Sequence, residues 1–425
     1  MRIVYVVPGF GNTFYCENCF RDGAFIKELA ARGHDLMMAP MYIPVAGAPI
    51  DADTPVFFGA VNVYLKEKFS IFRRSPSWLE RILNAPFILS LASSQSGSTR
   101  VRGLEGMTLS VLRGESGNQA KELDRLVQWL IEYGKPDIVH LSNALLIGLA
   151  PAIRAKTKAR VVCSLQDEDT WVNEMEKPLD KEAWSVMREQ AKHVDAFIAV
   201  SRTFGRAMQK RLAIPASKLH VSYIGVPTKA YKRSVLPDTP VIGYLSRLTP
   251  SLGLDILIDA FILLKKDERF ARARLRLTGG LTGDNKNFVE AMKRKLRHAM
   301  CIDDVDIIPD AYRDDPHGFL SSLTVLSVPV PEGEAFGTYL IEAFASGVPV
   351  VQPAAGAFPE IIRLAGAGAL YSPNTPQKLA DALASLLGDR KRLERLANAG
   401  VRAAKKHFDV AVMAASVERV YRKLR

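Results

Sequence analysis

Leu323-Thr-Val-Leu-Ser-Val328, Glu334-Ala-Phe-Gly-Thr-Tyr-Leu-Ile-Glu342 and Ala343-Phe-Ala-Ser-Gly347-Val-Pro349-Val-Val351 follow one another closely near the middle of the second half of the chain. The first is a mainly apolar strand, the second opens a helix that Gly347 and Pro349 end, and the last residues, Val348–Val351, form another apolar strand. A strand, a helix and a second strand, with both strands predominantly apolar, make a βαβ unit in a parallel sheet covered on both faces. Glu334 lies in the loop before the helix, where a carboxylate accepts hydrogen bonds from hydroxyls. Gly337 lets a ligand approach the backbone, and the amides of Thr338 and Tyr339 at the helix start favour an anion. Glu342 stands one turn further in. On an ordinary helix two such carboxylates would make a solvated face; the glycine entry and apolar exit argue against that here.

The same alternation runs outward in both directions. Downstream of residue 240, strands read at Val241–Leu245, Ala273–Leu277, Val305–Ile308, Leu323–Val328 and Val348–Val351, and three helices finish the chain from Thr375. Upstream, Arg2–Val7 is a β-rich run before the turn cluster Pro8-Gly9-Phe10-Gly11-Asn12, with a helix over Phe20–Ala31 and a strand from Leu36. Strands recur at Asp137–Leu141, Arg160–Leu165 and Asp195–Val200, with a helix over Leu145–Ala155. A polar, proline-bearing stretch around Gly225–Asp238 interrupts the rhythm and reads as a linker. The expected fold is α/β, with two doubly wound, Rossmann-like domains facing each other across a cleft. The expected divisions are a first domain over 1–230 with an irregular insertion at 45–120, a linker at 231–239, a second domain over 240–407, and a C-terminal helix over 408–425 that crosses back to the first.

Composition agrees with a globular protein of this kind. The 425 residues are 48% apolar and 24% charged, and no apolar run approaches the roughly 18 residues that span a membrane. The apolar stretch after Met1-Arg2 stops at Pro8, too short for a secretory signal, and four cysteines are too few for a disulfide scaffold. A cytoplasmic protein is expected. The net charge of +12 is shared by both halves and suits anionic small molecules or an anionic membrane face; no nucleic-acid-binding motif accompanies it. The segment Val56–Val111 breaks the alternation and interleaves basic and aromatic side chains, so it reads as an inserted helical hairpin packing on the first domain or, over residues 64–90, as an interfacial element placing the protein peripherally on a membrane.

Taken together, Glu334-x7-Glu342 with its internal Phe-Gly, the following Gly-x-Pro-Val-Val, Gly243-Tyr-Leu-Ser-Arg247-Leu, Leu254-Asp255-Ile-Leu-Ile-Asp-Ala-Phe261 and Gly356-Ala-Phe-Pro-Glu360-Ile-Ile resemble the retaining GT-B glycosyltransferases of family 4. Pro136-Asp137-Ile-Val-His140 and Ala199-Val-Ser201 fit as well, and the resemblance runs from Met1 to about Tyr421, weakest over 45–120. It implies transfer of a sugar from a UDP- or GDP-linked donor to a glycan, lipid-linked or small-molecule acceptor, with retention of anomeric configuration and without a metal or other cofactor. By resemblance Glu334 holds the donor sugar, Glu342 the ribose, Arg247 the diphosphate, and Gly11 leaves room for the donor phosphates. Phe336, Gly337, Thr338 and Tyr339 complete the donor loop. Glu334 and Arg247 are the catalytic candidates, since the reaction needs negative charge stabilised on the departing diphosphate.

Two positions depart from the family pattern. Its Arg-x4-Lys-Gly is Arg247-Leu-Thr-Pro-Ser-Leu252-Gly253 here, which replaces a cation on the diphosphate by leucine and leaves Lys286 and Arg313 as substitutes by position alone. The strand that usually ends in His ends in Gln166. These departures motivate a second reading, a non-catalytic protein of the same fold that binds a sugar nucleotide or glycan. Gln166, His140, Cys16 and Cys19 are expected on the cleft or acceptor side; Cys16-Glu-Asn-Cys19 has no second cysteine pair to complete a zinc site. Asp167-Glu168-Asp169 after an apolar strand imitates the metal-binding triplet of GT-A enzymes, but tandem sheets argue against that architecture. Gly9-Phe-Gly11 lacks the third glycine of a dinucleotide site.

Overall fold

The structure, a computed structural model, describes residues 1–8, 17–41, 103–233, 235–281 and 283–425, without the side chains of 17–21, 284, 313 and 314. The chain divides into two compact units. One takes Asp22–Ser222 and Ala414–Arg425 together with the first strand, and the other takes Tyr223–Met413.

The first unit is built on a six-stranded parallel sheet of β1 (Arg2–Val7), β2 (Asp35–Pro40), β3 (Ile138–Leu141), β4 (Arg160–Leu165), β5 (Ala196–Ala199) and β6 (Leu219–Val221), in the order β2-β1-β3-β4-β5-β6. Ile3–Val7, Ile138, Val139, Leu141, Val161 and Val162 are all essentially inaccessible, as apolar strands covered on both faces must be. The segment expected as one helix over Leu145–Ala155 is a 3₁₀ stretch, Ala144–Leu149, followed by an α-helix, Ala150–Lys156. Gly148 passes so near the backbone of Val111 and Leu112 that a Cβ there would lie 2.1 Å from the Val111 carbonyl oxygen, and Pro151 starts the α-helix proper. Of the expected insertion, residues 103–120 lie in the described structure and include a helix, Glu105–Leu112. The rest of 45–120, with the proposed membrane element at 64–90, lies outside the described residues.

The second unit repeats the plan with β7 (Val241–Leu245), β8 (Arg274–Thr278), β9 (Val305–Ile307), β10 (Val325–Leu326), β11 (Val350–Pro353) and β12 (Gly368–Tyr371), ordered β12-β11-β10-β7-β8-β9 and parallel throughout. Strands β6 and β12 are not among those expected from the sequence: both are short, and neither carries the apolar run that marks their neighbours.

The division also differs from the expected one. The first unit ends at Ser222, and the stretch read as a linker at 231–239 packs on the second unit. Val226 bridges to Asp409, Tyr223 meets the rings of Phe336 and Phe408, and Arg390 donates to the carbonyls of Leu236 at 3.0 Å and Pro237 at 3.2 Å. The charged side chains of this stretch, Lys229, Lys232 and Arg233, are exposed, which accounts for its polar composition, while Leu236 is buried against the second unit. The last helix, Val410–Leu424, begins in the second unit and from Ala414 belongs to the first. There Tyr421 is buried against His140, and Glu418 pairs with Arg32 and His34.

Candidate functional site

In the second sheet β7 and β10 are neighbours, yet the chain leaves β7 for β8 on one side and β10 for β11 on the other. Loops that part in this way open a crevice at the carboxyl ends of the two strands, the place where parallel sheets take their ligands. Arg247 lies in the loop after β7, and Glu334 to Gly337 in the loop after β10.

The Glu334 loop is shaped by glycine. Gly356 approaches it so closely that a Cβ would lie 2.6 Å from both the nitrogen and the oxygen of Glu334, while the Ala357 amide donates to the Glu334 carbonyl at 2.9 Å. Gly337, at φ +86° and ψ +83°, then turns the chain into the helix Thr338–Ala345, every residue of which is buried. A Cβ on Gly337 would stand 3.2 Å from Glu334 Oε2, so the Glu334 carboxylate lies beside the helix N-terminus. Phe336 is 2% exposed and packs with Tyr223 and Phe408, an anchor for the loop.

One turn into the helix, on the face of Thr338, Glu342 is 4% exposed. Its Oε1 accepts from the Tyr231 hydroxyl at 3.0 Å and from the Tyr312 hydroxyl as well. Burial first, and the neighbouring Glu342 charge second, push both phenols well above the ordinary tyrosine range, so both stay protonated and donate.

The Arg247 loop folds back onto Tyr244. Its hydroxyl donates to the Arg247 carbonyl at 2.8 Å and to the Leu252 carbonyl at 3.4 Å, drawing both ends of the loop together. Burial pushes the Tyr244 phenol up; the Glu334 carboxylate adds to that and Arg247 opposes it, so both charges act on one buried hydroxyl. The structure therefore brings Arg247, Leu252, Glu334, Phe336, Gly337, Thr338, Tyr339 and Glu342 to one edge of one sheet. Lys286 opens the helix Lys286–His298, and the side chain of Arg313 is outside the description. Tyr231, Tyr244 and Tyr312 were not picked out as site residues from the sequence: nothing local marks them, although Tyr244 stands within the Gly243–Arg247 motif.

In the first unit the candidates stand differently. His140, expected on the cleft or acceptor side, is 1% exposed; its Nε2 is 2.8 Å from Ser164 Oγ and its Nδ1 pairs with the Tyr421 hydroxyl. It joins β3 to the last helix and is a core residue, because the returning helix covers the strand end. Gln166 is 6% exposed and donates through Nε2 to the Ser142 carbonyl at 2.7 Å. The neighbouring acidic triplet does not converge. Asp167 accepts from the Thr170 hydroxyl at 2.9 Å and Asp169 from the Thr170 amide at 3.0 Å. Glu168 turns inward to accept from the amides of Ala144 at 2.8 Å and Gln166 at 2.7 Å. Burial pushes Glu168 up to about 7, against the pull of those amides. Among the described residues no group of three or more His, Cys, Asp or Glu is placed to hold a metal ion. Gly11 and Cys16 lie outside the described residues, and Cys19 falls in the helix Glu17–Ala31 without a described side chain.

Comparison with known proteins matches residues 228–403 to the glycosyl transferases group 1 model and residues 91–230 to the glycosyltransferase family 4 model. A D-inositol 3-phosphate glycosyltransferase of Kineococcus radiotolerans is 27% identical over 52% of this chain and 53% of its own length. A GDP-mannose-dependent alpha-(1-6)-phosphatidylinositol monomannoside mannosyltransferase of Mycobacterium tuberculosis is 26% identical over 59% of this chain and 66% of its own. The chain spans about half the length, or less, of the first curated relatives it matches. Among solved structures, sucrose-phosphate synthase from Thermosynechococcus elongatus aligns with a TM-score of 0.72 at 17% identity over 99% of this chain and 98% of its own. Anabaena HepE in complex with UDP aligns with a TM-score of 0.69 at 18% identity over the whole of both chains. At such identity these two speak for the fold.

Proposed function

The chain belongs to the family-4 glycosyltransferases of GT-B fold, the glycosyl transferases group 1, and from that premise we propose that it transfers a sugar from a nucleoside-diphosphate donor to a hydroxyl acceptor, with retention and without a metal. The observation that carries this reading is the meeting of Arg247 and the Glu334–Thr338 turn at the switch point of the second sheet, both charges acting on Tyr244.

In this reading the donor diphosphate lies against the start of the helix Thr338–Ala345 and the Arg247 guanidinium. As the anomeric carbon–oxygen bond breaks, negative charge grows on the diphosphate, where the helix dipole and guanidinium stabilise it. Glu334 accepts hydrogen bonds from the sugar hydroxyls. The acceptor oxygen attacks from the face the diphosphate leaves, and the departing phosphate oxygen takes its proton. Glu342 accepts from the ribose. Uridine or guanosine donors are favoured by the UDP complex of HepE and by the GDP-mannose named in the mycobacterial relative. A polyol, glycan or lipid-linked acceptor is in keeping with the inositol phosphate and phosphatidylinositol mannoside named for the relatives.

A melting screen with UDP-, GDP- and ADP-sugars identifies the donor, because a ligand bound only by the folded state raises the transition temperature. Release of nucleoside diphosphate in EDTA, with and without polyol acceptors, then tests transfer. No stabilisation by any nucleotide sugar would overturn the reading, and activity strictly dependent on Mn²⁺ would overturn its metal-free part.

A further inference from the structure

Oε1 of Glu342 serves two phenols at once, Tyr231 at 3.0 Å and Tyr312. The two reach it from different parts of the second unit, Tyr231 from the stretch before β7 and Tyr312 from the short helix Ala311–Asp314 after β9. A carboxylate oxygen accepts about two hydrogen bonds, so this pair occupies the acceptor capacity of Oε1 and fixes the plane of the carboxylate. Both phenols donate, so the carboxylate meets them as an acceptor, and without them it would be free to rotate.

We propose that Tyr231 and Tyr312 are positioning residues for the nucleoside: they hold Glu342 as an oriented acceptor for the ribose diol, and so set the preference for ribonucleotide over 2′-deoxyribonucleotide donors. The inference rests on the reading of Glu342 as the ribose acceptor given above. Neither tyrosine touches the reacting atoms. Their effect falls on donor affinity and on the sensing of the 2′-hydroxyl, while the chemical step at Glu334 and Arg247 is left alone. The arrangement also gives the connecting stretch a purpose. Tyr231 lies where sequence composition suggests a featureless linker, and its hydroxyl is held by the Glu342 carboxylate.

The test uses the full-length protein with UDP-glucose and GDP-mannose and their 2′-deoxyribose counterparts. In Tyr231→Phe and Tyr312→Phe, KM for the better ribonucleotide donor should rise about 5- to 20-fold with kcat within about twofold, the loss expected when one hydrogen bond to a charged group is removed. The discrimination between ribose and deoxyribose donors should shrink by a similar factor. Tyr231 is only half-buried, so Tyr231→Phe is the variant to rely on should Tyr312→Phe lower the melting temperature. A variant with unchanged KM, or with KM raised equally for both kinds of donor, overturns the inference and leaves the donor reading standing. A wild-type protein that binds neither kind of donor overturns both.

Discussion

Substituting Gly337 by alanine perturbs the turn on which the donor reading depends, and the structure sets the size of the effect. At φ +86° and ψ +83° the backbone lies beyond the small left-handed region open to other residues, so the conformation alone costs about 1–2 kcal/mol. The new Cβ would also stand 3.2 Å from Glu334 Oε2, 3.3 Å from Phe358 Cε1 and 3.3 Å from Tyr339 Cζ. The carboxylate can swing away, but both rings are fully buried and cannot, and overpacking of that kind adds about 1–3 kcal/mol. The expected loss is about 2–5 kcal/mol, within the stability of an ordinary domain, so the variant still folds. Gly366→Ala is the internal control: φ is +61° there and nothing lies within 4 Å of the added carbon, leaving only the conformational part. Urea unfolding of the three proteins, followed by tryptophan fluorescence, should order them wild type, Gly366→Ala, Gly337→Ala. Nucleotide-sugar affinity should fall at least tenfold in Gly337→Ala alone, because the displaced group is Glu334. A Gly337→Ala protein as stable as the control, binding donor as wild type does, would refute the reasoning.

Glu334→Gln should lower kcat/KM by two orders of magnitude or more while leaving the melting curve in place, since an amide loses the charge-assisted bonds to the sugar; near-wild-type turnover would remove the central assignment. Leu252→Lys should tighten nucleoside diphosphate binding severalfold, because Tyr244 ties residue 252 into the loop of Arg247; weaker binding measured by calorimetry would mean that this side chain does not face the diphosphate. Glu168 supplies a pH signature. Its carboxyl is raised from 4.5 to about 7 on folding, so between those values the folded state keeps a proton that the unfolded chain has released, and stability falls as pH rises from about 4.5 to 7 and is level above. Melting temperatures measured from pH 5 to 8 should show that decline in the wild type and a flatter profile in Glu168→Gln; identical slopes would refute it.

How far the sequence could be read follows from how local each determinant is. Apolar strands such as Ile3–Val7 and Val241–Leu245 announce themselves, because a strand buried on both faces has to be apolar along its whole length. The Glu334–Gly337 turn is equally visible, since a glycine entry, a carboxylate before it and a Gly-x-Pro exit are all properties of neighbours in sequence. His140 was misjudged for the opposite reason: its surroundings are made by Tyr421, 281 positions later. The linker failed in the same way, as Tyr223, Tyr231 and Leu236 find their partners at Phe408, Glu342 and Arg390. Asp167-Glu168-Asp169 only imitates a metal-binding triplet in sequence, and in the fold Asp167 takes a left-handed conformation at φ +59° and the three carboxylates meet different partners.

The two carboxylates of the Glu334–Glu342 pair differ in a way that the spacing alone does not reveal, and the difference assigns their work. Glu334 is only half-buried, in a loop whose backbone is held by Gly356 and Ala357 while its side chain stays at the mouth of the helix terminus. Such a group can exchange water for sugar hydroxyls with little reorganisation, as transition-state binding requires. Glu342 is enclosed and already answers two phenols, so its orientation is settled before any ligand arrives. A preorganised, immobile acceptor discriminates between ligands by the position of a hydroxyl, and it contributes equally to ground state and transition state. The charge arithmetic points the same way. In the proposed reading a nucleoside diphosphate brings roughly two negative charges, against one guanidinium at Arg247 and about half a charge from the helix terminus, so with leucine at 252 it would be under-neutralised. In the reading proposed above the donor then depends on its remaining contacts for a larger part of its affinity, the ribose bond to the Glu342 carboxylate among them. On that reading, leucine at 252 raises the importance of the tyrosine-held glutamate.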